Sequence, residues 1–472
     1  MSTEDLQSLA PVTDAARIDV MDILRGFALI GIILMNIEWF NRSGTDLRSF
    51  DPSLTGLDHA VGWLIRAFVE GKFYKLFALL FGMGFAVMLL RAKEVGRPFG
   101  AWFIRRMLVL MLIGYAHATL LWDGDILHDY AFAGLVFLGW IYLFDTRWLR
   151  RFNTPAMFLK IGVVWLLLPF LIATFVGIGF GTRSSHDDVT QQWQRDVEIA
   201  AAVEQRLAEP APVDETAETE TEDAAEPEEL NPAELKEQEI SDWVGAERKR
   251  TQRAAEQVEI MSGDSYVAAV RYRISHLQRD ARNMVSFTLI LLIPIFLVGY
   301  WFIASGVLKH HREHQPLFKS LAIVGMVFGT MLSVGSLLVM QHPIGEISIL
   351  IGSTAFWAFN LGQTLLTAGY LGLIVVLAGQ SWCSRALNCL APFGRMALTN
   401  YIMQTVILVL LFYGHAGGLY GELSRAPQML VVAAIVAFQM VLSAWWLQRF
   451  RFGPLEWLWR SATYMSWQSL KK

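Results

Sequence analysis

The stretch ILRGFALIGIILMNIEWF at residues 23–40 decides the fold class of this chain. A helix of about 20 mostly apolar residues is needed to cross the hydrocarbon core of a bilayer, and this stretch approaches that length. Lipid offers no partner to bare backbone N–H and C=O groups, so a spanning segment must satisfy them within its own helix. The stretch therefore predicts a transmembrane helix.

Similar apolar segments recur along the whole chain. The 472 residues are 54% hydrophobic and only 17% charged, which argues against a soluble globular protein, and two cysteines are too few for a disulfide scaffold. The expected fold class is all-α: a polytopic membrane helix bundle of about ten transmembrane helices. The predicted spans are 23–40, 73–91, 106–122, 126–144, 157–180, 285–307, 317–340, 353–378, 395–413 and 427–447.

The orientation of the spans follows from the positions of Lys and Arg, which collect in cytoplasmic connections. The connections after spans 2, 4, 6 and 8 and the C-terminal tail hold 18 of these residues, whereas those after spans 3, 7 and 9 hold one. This alternation predicts that both termini are cytoplasmic. The connection 41–72 departs from the pattern, because it is assigned to the outside and carries four basic residues.

A long acidic insertion divides the chain. We expect an N-terminal membrane half at 1–181 with spans 1–5, an insertion at 182–284, and a C-terminal membrane half at 285–472 with spans 6–10. Residues 203–240 carry 14 acidic and two basic side chains, and such a segment repels itself and has little to bury. The insertion is therefore predicted to be largely disordered and periplasmic, with charged helices flanking its centre. We expect it to act either as a spacer or as a docking segment or lid over an outer cavity.

Polar groups within a span are costly unless they meet a partner or water, so they mark the interior of the bundle. The densest group is His117, Asp123, Asp125, His128 and Tyr130, around the short turn between spans 3 and 4. A histidine beside a carboxylate is the minimal general-base arrangement, so His117 is the candidate catalytic residue, with Asp125 or Asp123 orienting it. Proton relay, cation binding, helix capping by Asp125 and hydrogen bonding between helices are the alternatives.

Two arginines are candidates for binding the phosphates of a donor at the inner surface. Arg25 begins span 1 and Arg395 begins span 9; each is either a phosphate ligand or an anchor at the cytoplasmic interface. Other polar side chains in the spans are predicted to line a cavity or to pair helices. They are Asn36, Asn360, Gln363, Asn400, Tyr401 and Gln404, together with His128 and Tyr130.

Neither a metal nor a nucleic acid is an expected partner. The run KHHREH at 309–314 has histidines at metal-binding spacing, but its basic neighbours oppose a cation, so no metal site is predicted. The remaining excess of Lys and Arg is explained by membrane orientation. The lipid bilayer is the one partner that the sequence implies directly, and it leaves the oligomeric state open.

Several motifs resemble the YeiB-like family of bacterial inner-membrane proteins of unassigned function. The resemblance implies an inner-membrane, multi-pass location. It covers nearly everything outside the insertion and rests on RIDVMDILRGFALIGIILMN at 17–36, GKFYKLFALLFGMGF at 71–85, RRMLVLMLIGYAHATLLWDGDILHDYAFAGL at 105–135, FGRMALTNYIMQTVILVLLFY at 393–413 and RFGPLEWLWR at 451–460.

The first span also looks like that of a wider superfamily of transmembrane acyltransferases, which includes heparan-α-glucosaminide N-acetyltransferase and the acyltransferase-3 proteins. The similarity lies in Arg17, Asp22, Arg25, Gly26 and Asn36. It implies a cytoplasmic acyl-coenzyme A donor, such as acetyl-coenzyme A, an acceptor on the far side and a catalytic histidine in the membrane. The acyltransferase-3 proteins carry that histidine at the position of residue 36, so the resemblance passes the role to His117 or His59.

Three functions follow as hypotheses. The first is transfer of an acyl group from cytoplasmic acyl-coenzyme A to a small-molecule or glycan acceptor in the envelope. The second is secondary transport of a small solute, because five spans, an insertion and five more spans match the arithmetic of an inverted repeat. The third is a non-catalytic envelope scaffold whose acidic segment recruits a partner.

Overall fold

The computed structural model describes residues 18–43, 55–183, 186–209, 231–341 and 349–472. Most of this part of the chain is helical. We number them α1 Asp19–Asn41, α2 Gly56–Phe68, α3 Lys72–Glu94, α4 Gly100–Leu120, α5 Leu127–Phe144, α6 Pro155–Arg183, α7 His186–Ala208, α8 Pro232–Ser262, α9 Tyr266–Phe287, α10 Ile293–Ala304, α11 Gln315–Gln341, α12 Ile349–Ala378, α13 Ser381–Asn388, α14 Leu390–Arg395, α15 Ala397–Phe412, α16 Arg425–Arg449 and α17 Pro454–Tyr464.

The predicted all-α polytopic bundle is confirmed. Within the described residues, nine helical segments are long and apolar enough to cross a bilayer. The predicted ninth span corresponds to α15, which is equally apolar but has only 16 residues. The cytoplasmic location of the termini stays a prediction. We call the end of the bundle with the turn 121–126 the outer end and the opposite end the inner end, after that prediction.

The first helix lies at the centre of the bundle and α6 at its edge. In the most apolar window of α1, 67% of the residues are buried by protein, compared with 11% in α6. The side chains of α6 that protein leaves uncovered are apolar, among them Leu171 and Phe175. This is the distribution that a lipid solvent requires, because a peripheral helix can leave apolar side chains exposed to acyl tails.

Close backbone contacts at glycines hold the central helices together. A Cβ atom added at Gly299 in α10 would lie 2.2 Å from the carbonyl oxygen of Leu79 in α3, and one added at Gly82 would lie 2.5 Å from that of Phe296. Small residues permit this approach, and dispersion contacts between the helices stabilise it in lipid. Ahead of this contact the chain makes a π turn at Thr288–Leu292, which ends two residues before Pro294. The ring nitrogen of Pro294 cannot donate to the preceding turn.

The insertion begins and ends as helices, and its acidic centre at 210–230 lies outside the described residues. Helices α7 and α8 pair through a small apolar cluster that includes Ile199 and Ile240. The salt bridge between Arg195 and Glu239, at 3.0 Å, is one of several that border this cluster.

The second part of the insertion packs onto the outer end of the bundle. Arg273 of α9 is fully buried, and its guanidinium donates a 3.0 Å hydrogen bond to the carbonyl of Leu120 at the end of α4. The Tyr266 hydroxyl donates to the same carbonyl, and the amide of Gly414 donates to the carbonyl of Met261. The helices α8 and α9 therefore cover the turn 121–126.

Candidate functional site

The carboxylate of Asp125 is the centre of a polar cluster at the outer end of the bundle, which we call the outer cluster. Its other members are His117, His128, Tyr401 and Thr405. Its Oδ1 accepts a 2.9 Å hydrogen bond from Nδ1 of His117, and its Oδ2 accepts one of 2.9 Å from Nδ1 of His128. The amide of Leu127 also donates to Oδ2, at 2.9 Å, and the Tyr401 hydroxyl lies 3.4 Å from Oδ1. One buried carboxylate thus orients two imidazoles and caps α5, so this geometry is compatible with helix capping and with the predicted general-base arrangement alike.

The pKa of Asp125 reflects these contacts. Burial raises the pKa of the carboxyl group, but the hydrogen bonds from His117 and His128 outweigh it and hold the pKa below its usual value. Asp125 is therefore ionised at neutral pH and stabilises a positive charge on either ring.

His117 is enclosed on both sides. Its ring lies on α4, is 3% exposed, and places Nε2 2.9 Å from the hydroxyl oxygen of Thr405 on α15. Because the carboxylate of Asp125 can only accept, Nδ1 carries a proton; in a neutral ring Nε2 then accepts from the Thr405 hydroxyl. His117 connects two helices through this chain of groups.

His128 differs from His117 because it lines a cavity. The cavity has a volume of about 380 Å³ and lies between the turn 121–126 and α9. Nε2 of His128 is 3.8 Å from Oδ1 of Asp129, and the ring stacks on Tyr115 with centroids 5.1 Å apart. The residues lining this outer cavity include Tyr115, Asp123, Asp125, His128 and Asp129, and on α9 Leu277, Met284 and Phe287.

A smaller cavity of about 190 Å³ lies on the other side of the turn. Asn36 and Tyr401, both predicted to line a cavity, meet here with Trp122. Gly124 and Ile126 border both cavities, so the turn 121–126 separates them.

The two arginines that were predicted to bind the phosphates of a donor lie elsewhere. Arg25 pairs with Asp22 at 2.5 Å on the inner part of α1, and its side chain remains 30% exposed. Arg395 ends α14, which packs closely on α1: a Cβ atom at Gly394 would clash with the carbonyl oxygen of Asp22. Neither arginine lines either of the two cavities beside the turn.

The other predicted polar side chains fall into separate groups. Asn400 donates to Ser443 at 2.9 Å, and Gln404 donates to Gln439 at 3.0 Å, so both pair α15 with α16. The Tyr130 hydroxyl donates to the carbonyl of Tyr74 at 2.7 Å, which joins α5 to α3.

Gln363 belongs to a polar group that the sequence interpretation missed. Lys75, fully buried at the outer part of α3, donates to Oε1 of Gln363 at 2.7 Å and to the carbonyl of Asn360 at 3.3 Å. Lys72, equally buried, donates to the carbonyl of Arg66 at 3.0 Å. Neither lysine forms an ion pair with a carboxylate among the described residues.

The sequence interpretation missed Lys72, Lys75 and Thr405, and the reason can be identified for each. In the motif GKFYK at 71–75 the lysines stand at the edge of an apolar segment, where basic residues usually reach the interface. Thr405 follows Tyr401 by four residues and so shares its helical face, a signal that was present but weak. His59, the second histidine suggested by resemblance, is exposed on α2.

The comparisons with known proteins agree with the motifs. A family model described as "Protein of unknown function (DUF418)" matches residues 302–466. The uncharacterized protein YxaH of Bacillus subtilis is 30% identical over 99% of both chains. The uncharacterized protein YeiB of Escherichia coli is 26% identical over 94% of this chain and 95% of its own. No solved structure matches the chain.

Proposed function

The chain belongs to the YeiB-like family of membrane proteins, and from the geometry of its own outer cluster we propose that it transfers an acyl group to an acceptor in the bacterial envelope. The observation that carries the proposal is the carboxylate of Asp125, which holds the imidazole of His128 at the edge of an outer cavity. A carboxylate that orients an imidazole beside space for a substrate is a general-base arrangement.

The base in this proposal is His128, whereas His117 was the candidate from the sequence. His117 is held between Asp125 and Thr405, and it does not line the outer cavity. We assign His117 a positioning role, in which it and Thr405 fix the carboxylate that orients His128. The ionised state of Asp125 then stabilises the imidazolium that forms during transfer.

The proposed reaction conserves atoms and charge. Nε2 of His128 takes the proton from a hydroxyl or amine of the acceptor, whose oxygen or nitrogen attacks the thioester carbonyl of an acyl-coenzyme A. A new C–O or C–N bond forms, and the C–S bond breaks. The coenzyme A thiolate leaves and is protonated by the imidazolium, which returns His128 to its starting state.

The lining of the outer cavity limits the class of acceptor. The carboxylates of Asp123, Asp125 and Asp129 line it, opposite the apolar side chains of Leu277, Met284 and Phe287 on α9. Carboxylates accept hydrogen bonds from hydroxyl and amino groups. We therefore expect a polyhydroxylated or an amino-bearing acceptor, such as an uncharged or amino sugar, with the apolar side chains of α9 against its ring face.

The test uses the full chain in nanodiscs with labelled acetyl-coenzyme A and a panel of neutral and amino glycans. Acylated product is expected from the wild type, and His128→Gln should reduce its formation by about 100-fold or more, the usual contribution of a general base. The matched control is His59→Gln, an exposed histidine, which should keep wild-type activity. The proposal is abandoned if His128→Gln and wild type acylate equally, or if the wild type consumes no donor with any acceptor.

Secondary transport remains a second candidate, because Lys72 and Lys75 are buried in the bundle and form no ion pair with a carboxylate among the described residues. Buried ionisable groups of this kind mark ion or proton pathways in membrane proteins. In proteoliposomes, a transporter would accumulate a solute from a panel in response to a pH gradient. Lys75→Met should abolish that accumulation, whereas the exposed Lys93→Met should not; an unaffected Lys75→Met protein would exclude this role for the lysine.

A further inference from the structure

A cavity at the inner end of the bundle lies outside the site described above. It has a volume of about 850 Å³, within the range of small-molecule sites, and is the largest of the described cavities. It lies among the start of α1, the end of α3, the connection 305–314 and α13. Part of the KHHREH run, for which no role was predicted, enters its lining.

The charged groups of this inner cavity are mostly basic. Arg91, Lys309 and Arg312 line it together with the imidazole of His311. Lys309 and Arg312 form no ion pair with any described residue, and Asp19 and Glu94 are the carboxylates in its described lining. Three guanidinium and ammonium groups thus exceed two carboxylates, at the end of the bundle where the basic connections gather.

Neutral hydrogen-bonding groups and an apolar wall complete the cavity. Ser384 and Asn388 of α13 supply side-chain hydrogen-bonding groups. The apolar wall comes from the spans and includes Ile23, Leu90 and Ile303. A ligand that fits both parts carries an anionic group at the basic mouth and an apolar portion toward the bundle.

We propose that this inner cavity binds a phosphate-bearing ligand through Arg91, Lys309 and Arg312. Guanidinium groups bind phosphate through paired, charge-assisted hydrogen bonds, and an ammonium group adds a point charge. A soluble nucleotide and the headgroup of an anionic phospholipid share this chemistry. Binding here does not depend on the proposed transfer activity; if that activity is as proposed, the cavity holds the phosphates of the donor in place of Arg25 and Arg395.

The experiment measures binding to the full-length protein in phosphatidylcholine nanodiscs, with coenzyme A, ATP and pyrophosphate as separate soluble probes. Arg312→Gln is expected to weaken the binding of coenzyme A by about fivefold, since an exposed charge is partly screened by salt. Lys319→Gln removes one positive charge from an exposed position of α11 outside the cavity, and it should bind as the wild type does. Melting temperatures of both variants confirm that they fold.

A second arm distinguishes the lipid source. In nanodiscs with phosphatidylglycerol, a headgroup ligand would appear as lipid retained with the wild type and lost from Arg312→Gln, without nucleotide binding. The proposal is overturned if no probe and no anionic lipid binds, or if Lys319→Gln weakens binding as much as Arg312→Gln. His128→Gln should keep full binding, so a chain that binds coenzyme A but never transfers an acyl group contradicts the proposed function alone.

Discussion

At the scale of the residue, Asp125 has the most contacts of the outer site, and its hydrogen bonds bear on stability as well as on the proposed transfer. Its two oxygens accept from His117, His128 and the backbone of α5, so nearly all of its lone pairs are used within the protein. A buried carboxylate without such donors would be costly. The same donors keep it ionised and hold both imidazoles in a defined tautomer.

Asp125→Asn is expected to destabilise the protein as well as to impair transfer. An amide has one acceptor oxygen in place of two, so one imidazole N–H would lose its partner inside the bundle. We expect a loss of about 2 kcal/mol in the free energy of unfolding, seen as a lower melting temperature. The exposed Asp145→Asn should melt as the wild type does, and an unchanged melting temperature for Asp125→Asn would contradict the network.

The difference in melting temperature between the wild type and Asp125→Asn is expected to depend on pH. A carboxyl group with a lowered pKa in the folded state contributes stability that is complete above its unfolded pKa of about 4 and is lost as the pH falls through the lower folded value. The gap in melting temperature between wild type and Asp125→Asn should therefore persist from pH 8 to about pH 4 and narrow only below it. Narrowing between pH 8 and pH 6 would show that Asp125 is not held ionised.

At the scale of elements, the positions of the helices depend on where backbones can touch. The contact between α3 and α10 requires the absence of a side chain at Gly299, where Leu79 O would be 2.2 Å from a Cβ atom. The obstacle is backbone, so no rotamer change relieves it. This contact sets the rotation of α3, which carries Lys72 and Lys75.

Gly299→Ala is therefore expected to cost about 3 kcal/mol or to prevent folding, because the helices must separate. Gly139→Ala is the matched control, since it is also helical and has open space around its Cβ position. That variant should fold normally and gain slightly from helix propensity. Folded yield and melting temperature in detergent check both, and a well-folded Gly299→Ala protein would show that the contact is looser than described.

Glu456 joins α17 to the start of α15 through Thr399. Its carboxylate accepts from the Thr399 amide at 3.0 Å and lies 2.6 Å from the Thr399 hydroxyl. Burial raises the pKa of Glu456 despite these hydrogen bonds. A carboxyl group whose pKa is raised by folding stabilises the folded state most at low pH. This contribution is lost as the pH rises from the pKa of the unfolded state, about 4.3, through the pKa of the folded state.

Glu456→Gln should remove this loss of stability at rising pH. The glutamine side chain keeps an oxygen that accepts from the backbone N–H of Thr399, and it carries no charge to bury. We expect its melting temperature to equal or exceed that of the wild type at pH 8, with the advantage disappearing toward pH 4. The exposed Glu313→Gln should show no such trend. A variant less stable than the wild type at pH 8 would indicate that the ionised carboxylate stabilises this contact.

At the scale of the molecule, the orientation of the bundle in the membrane is a prediction that two native cysteines can test. Cys383 and Cys389 are free thiols on or beside α13, at the inner end, and Cys389 is exposed. A membrane-impermeant maleimide should label Cys389 in inside-out vesicles and not in spheroplasts. In a variant with both native cysteines changed to serine, Trp243→Cys on α8 should label in spheroplasts only. Labelling of Cys389 from outside would reverse the topology.

The insertion illustrates the limit of composition as a guide. Charge predicted a disordered periplasmic segment with flanking helices, and helices α7, α8 and α9 do flank the acidic centre. Composition did not indicate that Arg273 is buried against Leu120 and that α9 forms one wall of the outer cavity. Those contacts depend on residues more than 100 positions away, and no local pattern encodes them.

The sequence by itself determined the class of the protein and the positions of its spans. A helix in lipid must be apolar and must satisfy its backbone hydrogen bonds internally, so each segment of about 20 residues can be judged on its own. It also marked His117, Asp125 and His128 as neighbours, since a short turn brings them together. Only the tertiary structure decided which polar groups meet. Helix rotation and contact, set by close packing between distant segments, directed Asn400 toward α16, Gln363 toward Lys75, and His128 rather than His117 into a cavity.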